Sequence, residues 1–146
     1  MYLGVCDGHG LKGEDVSGYL SNNLPKKLND KLIEEKTTDL EHSELYIISK
    51  YINKTFATTH EDLIANEEVD TKRSGSTCLS LIVTPERLIS AHVGDSRCVG
   101  SFKNGKIKRD ITRDHKPNYP YEKERIIENG GTLYQTQTPL EDDDNF

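Results

Sequence analysis

A seven-residue stretch, Gly4-Val5-Cys6-Asp7-Gly8-His9-Gly10, constrains this chain more than any other. The apolar run Tyr2, Leu3, Val5 and Cys6 delivers a carboxylate, an imidazole and two glycines within four consecutive positions. The apolar residues hold a strand in a core, and the glycines allow a turn that a β-carbon would obstruct. Close backbone approach also lets a peptide carbonyl point at a cation. Hard cations such as Mg²⁺ take oxygen ligands from carboxylates, carbonyls and water. Asp7 and the Gly8 carbonyl are therefore candidate metal ligands, with His9 beside them as a titratable proton carrier. The competing reading is an Asx-type turn in which Asp7 bonds its own backbone and His9 lies on the surface. The rest of the chain decides between them.

The chain has 146 residues, enough for one domain with a single core. Lys and Arg number 19 against 25 Asp and Glu, a formal charge of -6, which argues against a nucleic-acid or anionic-membrane surface. The hydrophobic share is 33% and the mean hydropathy -0.73, so the core is thin or the chain is only part of a domain. Cys6, Cys78 and Cys98 each sit in an apolar, strand-like run. Three widely spaced cysteines of this kind suit reduced thiols in the cytoplasm or nucleus. No apolar run approaches transmembrane length and no signal peptide opens the chain. Asn53-Lys54-Thr55 matches a glycosylation acceptor, but without a secretory context it reads as chance.

After a turn at Gly10 to Gly13, Asp15 is placed to cap a helix near 15–33, with Val16, Tyr19, Leu20, Leu24, Leu28 and Leu32 on one face. Pro25 should kink or restart it. Thr38 and Glu41 fit a capping box or a loop equally well. Leu45, Ile48, Ile52, Phe56, Thr59 and Leu63 mark a second helix near 43–65. His42 and His60 read as plain surface residues.

The period changes at Ser74-Gly75-Ser76-Thr77. Cys78–Val83 reads as a strand buried on both faces, Pro85 sits in a turn, and Arg87–Val93 returns. Val93-Gly94-Asp95-Ser96-Arg97 is a second apolar strand ending in a Gly-Asp pair. Cys98–Phe102, the Asn104-Gly105 turn signal and Lys106–Ile111 complete an expected antiparallel meander. A polar stretch, Thr112 to Pro117, leads to a short helix Tyr121–Glu128 that starts at Pro120 and ends at Asn129-Gly130-Gly131. Thr132–Thr138 alternates weakly, like an exposed strand, and residues 139–146 read as an acidic, solvated, flexible tail.

Strands ending at Asp7 and Asp95 can place two carboxylates at one end of a sheet. A divalent metal pair relieves their repulsion, deprotonates a water and neutralises phosphate oxygens during in-line attack. A protonated histidine can supply the proton that a leaving alkoxide needs. A Gly-rich phosphate loop with Lys, zinc-type Cys/His spacing and a G-x-S-x-G elbow are all missing. Cys6 is a poor candidate nucleophile, because the Asp7 carboxylate beside it raises a thiol pKa.

Five motifs in order carry a resemblance: Gly4 to Gly10, Ser74 to Thr77, Val93 to Arg97, Asp114-His115-Lys116-Pro117, and Glu124-Arg125-Ile126 with Gly130-Gly131. Together they resemble the metal-dependent protein phosphatases of type 2C. The resemblance implies an α+β fold, part of a four-layer α-β-β-α sandwich with antiparallel sheets. It implies hydrolysis of phosphoserine and phosphothreonine in proteins by water activated at a binuclear Mg²⁺ or Mn²⁺ site. On the matching positions Asp7 resembles the metal-bridging carboxylate, Gly8 the carbonyl ligand, His9 the general acid and Asp95 a ligand of a weaker third metal.

The departures set a second expectation. The family carries an acidic ligand and a phosphate-binding Arg ahead of its D-G-H-G segment, and D-G and D-N aspartates later; this chain has neither set. Arg73, Arg97 and Arg113 do not match the phosphate-binding position. Residues 1–146 thus resemble the amino-proximal part of a catalytic domain, with metal weakly held or absent and the isolated chain inactive. The alternative is a catalytically inactive phosphatase-like fragment that works as an interaction module. Phosphoprotein substrates are the expected partners, with no nucleic acid and no membrane, and incomplete sheets leave room for self-association.

Overall fold

The computed structural model describes residues 1–34, 44–85 and 87–135, with side chains described for all of these except 32–34, 44, 45 and 47. The chain forms two compact units, Met1–Asp114 and His115–Phe146.

In chain order the first unit comprises β1 (Tyr2–Val5), β2 (Gly8–Gly10), α1 (Gly13–Glu34), α2 (Glu44–Ala65), β3 (Ser74–Ser76), β4 (Cys78–Val83), β5 (Leu88–Val93), β6 (Val99–Phe102) and β7 (Ile107–Asp110). The apolar run of β4 lies at the centre of an antiparallel sheet in the order β1-β4-β5. Cys78, Leu79, Ser80 and Leu81 are all buried, as expected, in the strand that is flanked on both edges. Val5 faces Leu79 and Gly8 faces Ser76, so one register runs through the break at Cys6-Asp7. Tyr2 to Gly10 is therefore a single ribbon laid antiparallel to Ser74 to Ile82.

That ribbon extends past the strand end expected at Cys6, since Gly8-His9-Gly10 pair as β2 with β3. Glycine disfavours strands, but partner and sheet context override such preferences. The chain turns only after Gly10, whose φ is +84°.

Alternation assigns the faces of the sheet. Tyr2, Cys6, Cys78, Ile82, Ile89 and Ala91 join a core with Leu20, Leu24 and Leu28 of α1 and Ile48, Ile52 and Phe56 of α2. The opposite face carries Leu3, Val5 and Leu88, which are 50%, 56% and 45% exposed. One helical layer thus covers one side of the sheet. Buried Thr55 and Thr59 bring hydroxyls into that layer, and each donates back to the helix, to the Tyr51 carbonyl at 2.8 Å and the Thr55 carbonyl at 2.7 Å.

Two details of the helices differ from expectation. Helix α1 starts at Gly13, so Asp15 lies in its first turn beside Glu14 rather than at the cap. There both carboxylates complement the positive end of the helix. The helix also continues through Pro25 without restarting, because Leu24 and Leu28 on either side are anchored in the core. The capping box at Thr38 and Glu41 lies outside the described residues, as does His42, while His60 is exposed as expected.

The predicted turn at Pro85 joins β4 to β5, with the Thr84 amide donating to the Arg87 carbonyl at 2.9 Å. The Asn104-Gly105 signal joins β6 to β7 through a loop in which Lys103, Asn104 and Gly105 all have positive φ. The expected meander is corrected to two separate hairpins, since β5 and β6 do not pair. The reversal at Gly94, with φ of +96°, redirects the chain between them.

In the second unit α3 (Pro120–Glu128) opens on proline, as anticipated. It closes in a Schellman arrangement, the Gly130 amide donating to the Ile127 carbonyl at 3.0 Å and the Gly131 amide to the Ile126 carbonyl at 2.8 Å. The Arg125 guanidinium donates to buried Glu122 one turn earlier and holds its carboxyl below the usual glutamate range. Residues 132–135 form no strand, contrary to expectation, and 136–146, the acidic tail included, lie outside the described residues.

Candidate functional site

Asp7 stands at the break in the opening ribbon, opposite Thr77. Its amide donates to Thr77 Oγ1 at 3.0 Å, and its carbonyl accepts from the Thr77 amide at 2.9 Å. Its carboxylate is thereby left to the exposed surface. These two bonds keep the ladder intact where a regular strand is interrupted. Thr77 is itself buried, and its hydroxyl shares a second hydrogen bond, 2.7 Å long, with Ser96 Oγ. Ser96 follows Asp95. One threonine hydroxyl therefore ties the segment bearing Asp7 to the segment bearing Asp95.

Two close approaches tighten this junction. A β-carbon on Gly94 would come within 2.7 Å of Thr77 Cγ2, so the Gly94-Asp95 turn fits only against a bare backbone. A β-carbon on Gly8 would lie 2.0 Å from the Gly13 carbonyl oxygen, which packs the first turn of α1 directly on the ribbon. Gly8 falls in a non-hydrogen-bonded pair with Ser76, so its own carbonyl is directed away from β3. His9 lies opposite Gly75, where a β-carbon would meet His9 Nε2 at 2.7 Å. Gly75 thus makes the space that the imidazole occupies.

The segment after Asp95 is anchored from the other side. The Arg97 guanidinium grips buried Asp114 with two hydrogen bonds of 2.9 and 2.7 Å, and Thr112 Oγ1 accepts from the Cys98 amide at 2.9 Å. Arg97 is thus committed to a carboxylate within the unit, in keeping with its mismatch to a phosphate-binding position.

The candidate donors, the Asp7 and Asp95 carboxylates and the Gly8 carbonyl, are hard oxygens and fit Mg²⁺ or Mn²⁺ in kind. They fall short in number. Among the described residues, no group of three or more His, Cys, Asp or Glu side chains is arranged to hold a metal ion. A cavity of about 420 Å³ lies nearby, where His9, Leu20, Leu24, Phe56, Leu63 and Cys78 come together. Its lining is mostly apolar and includes neither Asp7 nor Asp95, so it is not a cation site.

Cys6 differs from expectation. Its thiol is pulled down to about 7 rather than up, chiefly by hydrogen bonding with the Cys78 thiol 4.0 Å away, while the same hydrogen bond, and then burial, push Cys78 upward. The opposing thiol outweighs the neighbouring carboxylate, which is turned to solvent.

Thr77 and Ser96 are the residues that reading the sequence missed. Both lie inside quoted motifs, but the bond between them depends on a register set across a long chain separation.

The comparisons with known proteins agree with one another. A family model described as Protein phosphatase 2C matches residues 1–141. A probable protein phosphatase 2C 73 from Oryza sativa subsp. japonica is 31% identical over 159 residues, covering 92% of this chain and 38% of the relative. A probable protein phosphatase 2C 11 from Arabidopsis thaliana is 36% identical over 134 residues, covering 90% and 32%. Among solved structures, a C. elegans sex determining protein superposes with a TM-score of 0.68 at 25% identity, over 93% of this chain and 31% of that one. A serine-threonine phosphatase 2C from Toxoplasma gondii superposes with a TM-score of 0.53 at 22% identity, over 88% and 44%, and shows the fold. The chain spans roughly a third to two fifths of the curated relatives it matches.

Proposed function

This chain belongs to the protein phosphatase 2C family, and from that membership we propose that it forms the amino-proximal part of a domain hydrolysing phosphoserine and phosphothreonine in proteins. The observation that carries the reading is the Thr77 hydroxyl, which binds the Asp7 amide and Ser96 and so holds two acidic segments at one end of the ribbon. In this proposal Asp7 and the Gly8 carbonyl hold a catalytic Mg²⁺ or Mn²⁺, and Asp95 holds a further, weaker one. A metal bound there supplies Lewis acidity, neutralising phosphate oxygens and lowering the pKa of water. His9, kept in place over Gly75, delivers a proton to the departing seryl or threonyl oxygen. The Thr77 bonds hold the Asp7 backbone, and its carboxylate would serve as a ligand from that fixed position.

The shortage of ligands favours a second statement, about this chain alone: without the rest of the domain it does not turn over substrate. Losing charge stabilisation removes several kcal/mol per missing element. The test is Mn²⁺-dependent hydrolysis of a phosphothreonine peptide, by this chain and by a complete domain containing it. The complete domain should be active and should lose roughly 10² or more of its rate in His9→Ala. Activity that persists in Asp7→Ala refutes the assignment of Asp7, and turnover by the 146-residue chain refutes its incompleteness.

A further inference from the structure

The same register that sets Asp7 opposite Thr77 sets Cys6 opposite Cys78, on the face of the ribbon that meets the helices. Hydrogen-bonded pairs alternate with open ones along an antiparallel ladder. Met1 and Val83 exchange both of their backbone bonds, each at 2.8 Å, and in the same phase of the ladder the Asp7 carbonyl accepts from the Thr77 amide at 2.9 Å. Cys6 and Cys78 therefore form a non-hydrogen-bonded pair, the kind in which α-carbons approach to about 4.5 Å and side chains stand closest. That spacing falls inside the range of about 4.4–6.8 Å that a disulfide spans. Their sulfurs are already 4.0 Å apart. Closing to a bond of about 2.05 Å requires side-chain rotation and no shift of strand.

We infer that Cys6 and Cys78 are a peroxide-oxidisable thiol pair that closes reversibly into a cross-strand disulfide, stapling the opening strand to the central strand immediately before Asp7. The two positions divide the chemistry. Cys6 is half-buried and reachable by a small oxidant, whereas Cys78 is buried behind it. The Cys6 sulfur attacks one oxygen of hydrogen peroxide, breaking the O–O bond and giving a sulfenic acid and one water. The Cys78 sulfur then attacks the Cys6 sulfur, displacing the hydroxyl, which leaves with the Cys78 proton as a second water. The two thiols are oxidised by two electrons and one peroxide is reduced. A thiol reductant returns both. Cys98, a free thiol beyond β5, takes no part in the staple.

Tryptic cleavage separates the three cysteines into peptides 1–12, 74–87 and 98–103, which makes the test direct. The folded 146-residue chain is treated with hydrogen peroxide, alkylated, and digested without reduction. Free thiols should fall from three to one, with peptide 1–12 linked to 74–87, two hydrogens lighter than their sum, and released by dithiothreitol. Cys98→Ser should keep the link, and Cys6→Ser, at a half-buried position, should abolish it while leaving Cys78 reduced. The inference is overturned if peptide 1–12 carries sulfinic or sulfonic acid with 74–87 unlinked. It is equally overturned if Cys98 enters the main disulfide, if the main product joins two chains, or if peroxide consumes Cys98 and spares the pair. None of these readouts depends on phosphatase activity.

Discussion

Replacing Thr77 by valine tests whether one hydroxyl joins the two acidic segments. Valine keeps the branched shape that fills the space against Gly94, and it favours strands, so packing and backbone preference change little. What disappears is the acceptor for the Asp7 amide at 3.0 Å and the partner of Ser96 Oγ at 2.7 Å. A hydrogen bond contributes about 1 kcal/mol net, and a buried group left without one costs about 1–3 kcal/mol. Because the Thr77 site is buried, water does not fully replace the hydroxyl, and Thr77→Val should lose roughly 2–4 kcal/mol. Thr77→Ser is the control. It keeps both hydrogen bonds and removes the methyl that meets Gly94, for a loss of about 1 kcal/mol. With a urea m-value of about 2 kcal/mol/M, the valine midpoint should fall by about 1–2 M and the serine midpoint by roughly 0.5 M. Hydrogen exchange should also quicken at the Asp7 amide in the valine variant and stay slow in the serine one. A valine variant as stable as the serine variant, or with Asp7 still protected, refutes the hydroxyl as the tie.

Gly8→Ala should destabilise by about 3 kcal/mol, because both sides of the clash with Gly13 are backbone. Gly75→Ala meets only the tip of the His9 ring and should lose about 1 kcal/mol or less, and paired urea titrations will show whether that order holds. Leu24→Ala, at a site 2% exposed among Leu28, Ile52 and Cys78, should cost about 3 kcal/mol, measured in the same way. Arg97→Ala removes both hydrogen bonds to the buried Asp114 carboxylate; since Arg97 is half exposed, its screened contribution is roughly 1–2 kcal/mol. Glu122 has a depressed pKa in the folded chain through its bond to Arg125. Its stabilisation is present above the ordinary glutamate value and fades as pH falls through the lower folded value, so Glu122→Gln should flatten the acid limb of helix content followed by circular dichroism.

The elements set by local chemistry were legible in the sequence. Pro85 and Asn104-Gly105 announce tight reversals wherever they stand, and both hairpins formed around them. Periodicity found the two long helices because Leu24, Leu28, Ile52 and Leu63 repeat on faces that are buried. The failures are long-range. Nothing near Gly8-His9-Gly10 favours a strand; it becomes one because Ser74-Gly75-Ser76 arrives beside it from across two helices. The meander failed for a comparable reason, since a residue at φ of +96° redirects the chain after β5 and local pattern does not show where a redirected strand goes. At the candidate site, the acidic residues and glycines were visible as types. The Thr77 bonds were not, because hydrogen bonding across some seventy residues of separation belongs to the register and not to the motif.

The ribbon also links the thinness of the core to the shortage of ligands. Its even-numbered side chains, Tyr2 and Cys6 among them, enter the helical layer. Its odd-numbered side chains, Leu3 and Val5, stand exposed on the other face, and alternation carried through the break puts Asp7 on that same face. Leu3 and Val5 leave apolar area in water that about 25 cal/mol per Å² would favour burying. The carboxylate that lacks partner ligands is therefore next in line to the side chains that lack apolar neighbours. An element that packs over Leu3 and Val5 would lie beside Asp7, where the proposed metal-binding oxygens stand. Covering the sheet and completing the site are one requirement for this part of the chain. Its thiol pair, on the opposite face, answers to a separate one.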